Sequence, residues 1–228
     1  VRMARRVVIT GVGMTTPLGV TTEESWKGLI AGKSGIRTIQ AWADWNGGGH
    51  KLPVTIGGEV PGFDPEPWLE QKKDAKRMDR FIQLAMCAGH QAWTQSGLPA
   101  RLENDAGNRA GSIVGIGLGG LGTILSAYDK FKEQGQRRVS AFFIPQIIAN
   151  LVPGNMAIRY NLRNANWAPA SACSSGNHGI GEGYMHIRDD RADIMLVGGA
   201  ESALEPLAVA GFASMHALCA SKNADPAG

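Results

Sequence analysis

Apolar residues recur along the chain at two different periods. Helical spacing is clearest from Asp79 to Gln95, where apolar residues return every three or four positions. A similar pattern runs from Leu121 to Gln134. Short apolar runs from Ala110 to Ile116 and from Ile194 to Val197 are each followed by glycine and predict buried strands. Because strands and helices alternate, the pattern predicts an α/β layered domain.

The N-terminal region carries two further local signals. Val7 to Ile9 is a short apolar run before a glycine-rich stretch, and we predict a strand there. Thr21 to Glu24 has the spacing of a capping box, in which a threonine and a glutamate three residues later begin a helix. We predict that Trp26, Leu29 and Ile30 form the apolar face of that helix.

One cysteine follows the strand-like run from Asn166 to Ala172 and precedes an amphipathic run that continues to Arg188. This order predicts a strand, a sharp turn and a helix, with Cys173 in the first turn of the helix. The first backbone N–H groups of a helix are unpaired and carry partial positive charge. They favour the thiolate form of a nearby cysteine and can stabilise an oxyanion on a thioester at its sulfur. We therefore predict that Cys173 is a nucleophile that accepts acyl groups.

The helix after this cysteine is unusually rich in glycine. Gly176, Gly179 and Gly183 are spaced so that they share one face. Each interior glycine costs about 0.5–1 kcal/mol relative to alanine, so something must offset that cost. A face without side chains lets another backbone approach closely. We predict a buried helix that packs tightly against a second helix.

Composition excludes several classes of protein. The 228 residues are 43% hydrophobic and 19% charged, which is typical of a globular protein. The net charge of +3 favours neither nucleic acid nor a membrane surface as a partner. No run of 18 apolar residues is present, so we predict no membrane span. The cysteines, Cys87, Cys173 and Cys219, are too few for a disulfide scaffold and indicate a reducing, cytoplasmic location.

The sequence contains no convincing motif for a nucleotide cofactor or a metal ion. Gly115 to Gly120 fits G-x-G-x-x-G after a strand, but no strand ending in an acidic residue follows about 20 positions later. A dinucleotide site is therefore not expected. No pair of histidines or cysteines has the spacing of metal ligands. We predict neither a cofactor nor a metal.

Six blocks of the sequence resemble, in the same order, the β-ketoacyl-acyl carrier protein synthases, which are the elongating condensing enzymes of fatty-acid synthesis. The block from Ala168 to Glu201 resembles the nucleophile motif of that family. The other blocks are Arg5–Gly19, Lys76–Ala85, Val114–Gly122, Phe142–Asn150 and Ala208–Leu218. Several matching blocks in one order are more specific than any single motif.

The resemblance implies a thiolase-like fold in which two similar halves pack into five αβαβα layers. Residues 1–228 match only the first half, which is an N-terminal ketoacyl synthase domain with a mixed five-stranded sheet and a buried nucleophile helix. The implied reaction is a decarboxylating Claisen condensation. The acyl group on Cys173 would react with malonyl-acyl carrier protein to give 3-oxoacyl-acyl carrier protein in fatty-acid elongation.

The catalytic histidines and lysine of the family lie in its second half, and no position in this sequence matches them. The chain's own histidines do not replace them by local geometry. His178 lies five positions after Cys173, about 140° around a helix, and His186 lies roughly 20 Å along it. We therefore expect the second half of the enzyme, or a partner chain, to complete the site.

The resemblance also assigns an acyl pocket. Its walls would include Leu118, Phe143, Ile147 and Phe212, because an acyl tail gains about 0.8 kcal/mol for each buried CH₂ group. The alternatives are that Leu118 belongs to a plain tight turn and that the other residues are ordinary core.

A partner surface is implied by two basic clusters. Acyl carrier proteins, whether acyl- or malonyl-loaded, are strongly acidic, and basic patches steer such partners. The alternative is that both clusters are simply solvated faces. A homodimer is also expected. The predicted docking residues are Lys72, Lys73, Lys76, Arg77, Arg137 and Arg138.

Two other functions remain open from the residues alone. One is a polyketide ketosynthase or another thiolase-like acyltransferase, which dependence on malonyl groups and on a carrier protein would distinguish. The other is a non-catalytic fragment or partner subunit. The presence of Cys173 argues against a non-catalytic partner, because such partners typically lack the cysteine.

Overall fold

The computed structural model describes residues 5–40 and 49–226. Short 3₁₀ helices lie at Glu66–Trp68, Lys72–Arg77 and Gln136–Arg138. In chain order the elements are α1 (Thr22–Ile30), β1 (Arg37–Thr38), β2 (Ile56–Gly57), α2 (Arg80–Gln95), α3 (Asn104–Asn108), β3 (Ala110–Gly115), α4 (Leu121–Gln134), α5 (Phe143–Ile147), α6 (Leu151–Tyr160), β4 (Asn166–Trp167), α7 (Ser175–Arg188), β5 (Ile194–Gly199) and α8 (Pro206–Ser214).

Contacts along the chain define two units. The larger unit contains Val1–Gly13 and Asp64–Ser202, and it holds α2 to α7 with β3, β4 and β5. The smaller unit contains Met14–Phe63 and Ala203–Gly228, and it holds α1, β1, β2 and α8. The predicted α/β alternation of helices and strands is therefore confirmed within the larger unit.

A parallel sheet with the strand order β4-β3-β5 forms the centre of the larger unit. β1 and β2 form a separate antiparallel pair in the smaller unit. The described strands therefore lie in two sheets rather than in the one mixed five-stranded sheet that was predicted. Val7 to Ile9 is not a strand, because it joins no ladder among the described residues and Ile9 is 86% exposed.

Strand β3 is buried along its whole length, and its alternating residues face two different layers. On one side, the hydroxyl of Ser112 contacts the sulfur of Met156 in α6 at 3.7 Å. On the other side, Gly115 lies directly against the backbone of Ser175 at the start of α7. The larger unit is therefore a helix–sheet–helix sandwich around β3.

The main apolar core lies on the α6 side of the sheet. α2 supplies Phe81 and Ile82, and α6 supplies Val152 and Tyr160, all of them almost completely buried. The ring of Tyr160 stacks on that of Trp93 with a centroid distance of 4.3 Å. The helical spacing in the sequence from Asp79 to Gln95 is therefore confirmed as a core-facing pattern.

Helix α1 confirms one prediction and corrects another. Its capping box forms as the sequence indicates: Thr21 accepts a hydrogen bond from the backbone of Glu24, whose carboxylate accepts one in return. Its apolar face, however, is exposed in this chain, and Trp26 is 55% accessible. The buried residues are Ser25, whose hydroxyl donates to the carbonyl of Gly19, and Gly28. The local turn before α1 therefore covers its small and polar side.

Candidate active site

The nucleophile candidate lies in a tight turn between β4 and α7. Cys173 is exposed, and Ala172 before it adopts a positive φ of 52°. Ser174 occupies the N-cap position, and α7 begins at Ser175. The sequence placed the cysteine within the first helical turn, whereas the structure places it immediately before the cap. The thiol still stands at the positive end of the helix dipole.

A buried serine holds this turn in shape. Ser175 is 3% exposed, and its hydroxyl makes two hydrogen bonds across the turn. The hydroxyl oxygen accepts from the backbone N–H of Ser171 at 2.9 Å and donates to the carbonyl of Ala172 at 2.7 Å. A left-handed residue other than glycine costs about 1–2 kcal/mol. These two bonds offset that cost and fix the backbone on either side of Cys173.

A histidine contributes to the same turn. Nδ1 of His178 lies 2.5 Å from the hydroxyl oxygen of Ser171, two residues before the cysteine. The sequence analysis placed Cys173 within the helix and therefore missed the contact between His178 and Ser171. The contact forms because the chain folds back before α7 begins. That His178 does not reach the sulfur itself stays a prediction.

The glycine face of α7 packs on the sheet rather than on a second helix, which corrects the sequence interpretation. A Cβ added at Gly176 would lie 3.3 Å from the Cα of Gly199 in β5. A Cβ added at Gly179 would lie 2.8 Å from the carbonyl oxygen of Gly198 and 2.9 Å from that of Ile113. The helix backbone thus rests directly on the backbones of β3 and β5. This close contact brings the start of α7 to the carboxyl ends of both strands.

Three loops meet at this edge of the sheet, because the carboxyl ends of parallel strands lie together. The turn with Cys173 follows β4, a glycine loop at Gly117–Gly119 follows β3, and Glu201 follows β5. A Cβ added at Gly117 would lie 3.7 Å from the carbonyl oxygen of Ala172, so the glycine loop runs beside the nucleophile turn. The exposed thiol therefore stands at the usual ligand-binding edge of an open α/β sheet.

A carboxylate that the sequence patterns did not single out holds the glycine loop. The side chain of Glu201 accepts from the backbone N–H groups of Gly117, Leu118 and Gly119 at 3.0, 2.6 and 3.3 Å. The sequence does show that Glu201 follows a strand that ends in glycines. Because the sequence does not show that β5 lies beside β3, it cannot identify the N–H groups that Glu201 binds.

Asp79 is a second carboxylate that the sequence patterns did not connect with this region. It accepts from the backbone of Phe81 at the start of α2. Its other oxygen accepts from the hydroxyl of Thr123 at 2.6 Å and from the Thr123 backbone at 3.3 Å. One buried carboxylate therefore binds the starts of both α2 and α4, and only Gly120 separates α4 from the glycine loop.

The predicted acyl-pocket residues lie in different places. Leu118 projects from the glycine loop and is 52% exposed. Phe143 and Ile147 are half-buried in α5, and the carbonyl of Ile147 accepts from the N–H of Gly120. The structure therefore joins α5 to the end of the glycine loop. Phe212 belongs to α8 in the smaller unit, where it is partly exposed. A pocket formed by these residues stays a prediction.

The predicted docking residues are all exposed, and several already have partners. Lys72 pairs with Glu66 at 3.0 Å, and Arg77 lies 3.5 Å from Asp74. The guanidinium of Arg77 also stacks over the ring of Phe142 at 4.8 Å. Lys73, Lys76, Arg137 and Arg138 are likewise on the surface. Their role in carrier binding stays a prediction.

The other two cysteines differ from each other. Cys87 is buried in α2, as expected for inert core. Cys219 is exposed, and a hydrogen bond with the hydroxyl of Ser221 lowers the pKa of its thiol. No sequence pattern marked Cys219 as reactive, and this contact makes it a necessary control in any test of Cys173.

The described part of the chain contains neither a membrane-spanning helix nor a cluster of metal ligands. Every helix there is too short or too polar to span a lipid bilayer. Within residues 5–40 and 49–226, no group of three or more histidine, cysteine, aspartate or glutamate side chains is arranged to hold a metal ion.

Sequence comparisons identify relatives over nearly the whole chain. A family model described as β-ketoacyl synthase, N-terminal domain, matches residues 4–227. The 3-oxoacyl-(acyl-carrier-protein) synthase 2 of Vibrio cholerae is 44% identical over 97% of this chain, and that of Coxiella burnetii is 39% identical over the same share. Each match covers 51% of the relative. The chain therefore spans about half the length of the curated relatives it matches.

Solved structures give the same result for the fold. A β-ketoacyl synthase from Burkholderia phymatum superposes with a TM-score of 0.82 at 29% identity, over 98% of this chain and 53% of that one. The ishigamide ketosynthase/chain length factor superposes with a TM-score of 0.81 at 29% identity, over 95% of this chain and 52% of that one. A type II polyketide ketosynthase, solved in complex with its acyl-carrier protein, has the same fold at 23% identity, with a TM-score of 0.80 over 96% and 50%.

The fold and the cysteine turn at the edge of its parallel sheet define a thiolase-like α/β protein. Within that class, the chain belongs to the β-ketoacyl synthase family, whose N-terminal domain model covers all but its first three residues and its last.

Proposed function

We propose that this chain carries the acyl-accepting cysteine of a condensing enzyme of fatty-acid elongation. In this proposal, Cys173 takes an acyl group from acyl carrier protein. The acyl-enzyme then condenses with malonyl-acyl carrier protein to give 3-oxoacyl-acyl carrier protein and CO₂. The observation that carries the proposal is the exposed thiol of Cys173, which lies in front of a helix N-terminus in a turn held by the hydrogen bonds of the buried Ser175. Relatives named 3-oxoacyl-acyl carrier protein synthase 2 support the substrate class.

The proposed reaction has two covalent steps. In the first, the thiolate of Cys173 attacks the carbonyl carbon of the acyl thioester, and the carrier leaves as its thiol after taking up a proton. In the second, the malonyl group loses CO₂, and the resulting carbanion attacks the acyl-cysteine carbonyl. The bond to Sγ breaks and the thiolate is restored. The helix N-terminus stabilises negative charge at the carbonyl oxygen in both steps.

The residues that stabilise the carbanion are proposed to lie outside residues 1–228. The family resemblance places those histidines and a lysine in a second half. His178, five positions after Cys173 in the sequence, is engaged with Ser171. Its proposed role is to hold the nucleophile turn.

Acyl carrier protein is the proposed partner. The exposed clusters at Lys72–Arg77 and at Arg137 with Arg138 offer positive charge to an acidic carrier. Because Lys72 and Arg77 already pair with acidic neighbours, the other four residues are proposed to contribute most, namely Lys73, Lys76, Arg137 and Arg138. We also propose that the reaction takes place in the cytoplasm.

A homodimer is also proposed. Helix α4 has no buried residue in the described structure, and Ile124, Tyr128 and Phe131 form an exposed apolar face at helical spacing. A second copy of the chain would cover this face. Sedimentation of the complete protein should show a dimer, and replacing Tyr128 and Phe131 with serine should shift it to the monomer.

Intact mass spectrometry tests the proposed nucleophile. The complete protein is incubated with a saturated acyl thioester, alongside its Cys173→Ala and Cys219→Ala variants. One acyl group should appear on the unmodified protein and on Cys219→Ala, and none on Cys173→Ala. Acylation that persists in Cys173→Ala, or that maps to Cys219, would show that the assignment is wrong.

A polyketide ketosynthase is the second candidate, because the ishigamide ketosynthase/chain length factor has a similar fold at 29% identity. The product distinguishes the two. A fatty-acid enzyme should stop after one condensation on a saturated acyl chain. Repeated condensation on its own 3-oxoacyl product would support the polyketide alternative.

A further inference from the structure

One carboxylate organises the loop that carries Leu118. The two oxygens of Glu201 accept hydrogen bonds from three consecutive backbone N–H groups, those of Gly117, Leu118 and Gly119. One of these oxygens also accepts from the backbone of Ser202 at 3.2 Å. Bonds from N–H groups to a charged carboxylate are about twice as strong as bonds between neutral groups. One side chain therefore binds all three backbone N–H groups of the loop.

The loop has two exposed residues, Gly117 and Leu118, and one buried residue, Gly119, in a left-handed backbone conformation. Gly119 has a φ of +78°, which side-chain-bearing residues rarely adopt, and Leu118 is half exposed. The next N–H, from Gly120, is taken by the carbonyl of Ile147 in α5. The loop is thus fixed at its far end by α5 and along its length by Glu201.

The position of this loop matters because it runs beside the nucleophile turn. Gly117 faces the carbonyl of Ala172, the residue before Cys173. A shift of the glycine loop would therefore move Leu118 relative to the thiol and change the space for the first part of an acyl chain. Glu201 lies two residues after β5 and binds the glycine loop, which in turn lies beside the nucleophile turn.

We propose that Glu201 is a positioning residue that fixes the Gly117–Gly119 loop beside the Cys173 turn and thereby sets which acyl-chain lengths the cysteine accepts. The inference rests on the proposed function, because it assumes that Cys173 is acylated. Glu201 acts through the loop and does not contact the acyl group. Removing its carboxylate releases three N–H groups to water and lets Leu118 move.

The test uses the complete protein with the Glu201→Ala and Glu201→Gln variants. Glutamine keeps the length of the side chain but replaces one acceptor oxygen with a donor, so it can satisfy fewer of the three N–H groups. Glu103→Ala is the matched control, because Glu103 is an exposed carboxylate in the same unit, at the start of α3. Unchanged thermal unfolding of each variant confirms that the fold is intact.

The first readout is hydrogen exchange at the glycine loop, followed by mass spectrometry of peptides that span residues 114–122. Exchange at these amides should accelerate about tenfold or more in Glu201→Ala, less in Glu201→Gln and not at all in the control. Unchanged exchange in Glu201→Ala would overturn the inference, because the carboxylate would then not hold the loop.

The second readout is the rate of Cys173 acylation by thioesters of increasing chain length. The ratio of long-chain to short-chain kcat/KM should change by about tenfold in Glu201→Ala, with a partial change in Glu201→Gln. Alkylation of the thiol by iodoacetamide should keep its rate, because this small reagent needs no pocket. A uniform loss across all chain lengths, or an unchanged ratio, would overturn the role in selectivity.

The two proposals fail in different ways. If Cys173 in the unmodified protein accepts no acyl group of any length, the proposed function is wrong and the selectivity role falls with it. If the unmodified protein is acylated normally but the variants keep its chain-length ratio, only the inference about Glu201 is wrong.

Discussion

The two faces of helix α7 show how the same residue type can have opposite consequences. On the inner face, Gly176, Gly179 and Gly183 lie against β3 and β5, with no room for a side chain. On the outer face, Gly181 has open space around it, and Ile180 is 52% exposed. Packing therefore explains the glycines on the inner face, whereas no described residue packs against Gly181 on the outer face.

The difference explains how the active-site geometry arises. A helix without side chains on its inner face can rest on the sheet backbone, which places its N-terminus at the carboxyl ends of β3 and β5. The exposed thiol of Cys173 is the consequence. The cost of the inner glycines, about 0.5–1 kcal/mol each, is offset by this packing. Mutations on the two faces should therefore have effects of opposite sign.

The largest effect is expected on the inner face. In Gly179→Ala, the new methyl group would lie within 3 Å of two backbone oxygens, those of Gly198 and Ile113, which cannot rotate away. We expect a loss of about 3 kcal/mol in the free energy of unfolding, at the upper end of the usual cost of overpacking. Urea denaturation measures it. A stability equal to that of the unmodified protein would contradict the contact between α7 and the sheet.

A smaller loss is expected where the helix meets the nucleophile turn. Ser175→Ala removes a buried hydroxyl and leaves the N–H of Ser171 and the carbonyl of Ala172 without that partner. We expect a loss of about 1–2 kcal/mol in the free energy of unfolding, together with slower alkylation of Cys173 by iodoacetamide. Ser174→Ala is the matched control, since the hydroxyl of Ser174 makes no capping bond. Equal behaviour of the two variants would mean that Ser175 does not hold the turn.

The outer face should respond in the opposite direction. Gly181→Ala adds a methyl group that, beyond its own helix turn and chain neighbours, has no described atom within 4 Å, so only helix propensity changes. We expect a gain of about 0.5–1 kcal/mol in the free energy of unfolding. Urea denaturation of Gly181→Ala and Gly179→Ala under the same conditions shows whether each substitution raises or lowers the free energy of unfolding. A loss of stability here would reveal a contact on the outer face, such as the cover of a second chain.

The smallest effect is expected at Asp193, which lies in the loop between α7 and β5. Hydrogen bonds from Arg109 and then from Arg5 lower the pKa of its carboxylate to about 2. An ordinary aspartate titrates near pH 3.9 when unfolded. The stability that these pairs add is therefore present in full above about pH 4 and is lost as the pH falls towards 2. Because the pairs are exposed, water screens them and the change is small.

The pH dependence can be assigned to this residue by substitution. The urea midpoint of the unmodified protein should fall between pH 4 and pH 2 by more than that of Asp193→Asn, which cannot titrate. Identical slopes for the two proteins would show that the ion pairs with Arg5 and Arg109 add no stability.

Local signals predicted most of the elements correctly. The capping box at Thr21 and Glu24 formed, the helix from Asp79 to Gln95 began and ended within a residue of its expected limits, and β3 and β5 lie where apolar runs end in glycine. These signals succeed because they involve neighbours within a few residues. Val7 to Ile9 failed as a strand because pairing needs a partner that the local sequence does not contain.

The same limit explains the errors at the site. Helical spacing correctly grouped the glycines of α7 on one face, but it could not show whether a helix or a sheet would cover them. Spacing also missed the contact between His178 and Ser171, because a helical projection cannot represent a chain that folds back at Ala172.

The sequence by itself determined that the chain is α/β, that Cys173 stands between a strand and a glycine-rich helix, and that its motifs resemble one family. Local periodicity, turn chemistry and motif order are enough for those conclusions. Only the tertiary structure decided that Glu201 holds a loop more than 80 residues away and that α7 lies on the sheet backbone. Those contacts follow from which strands lie side by side, and strand order is set by packing over the whole domain.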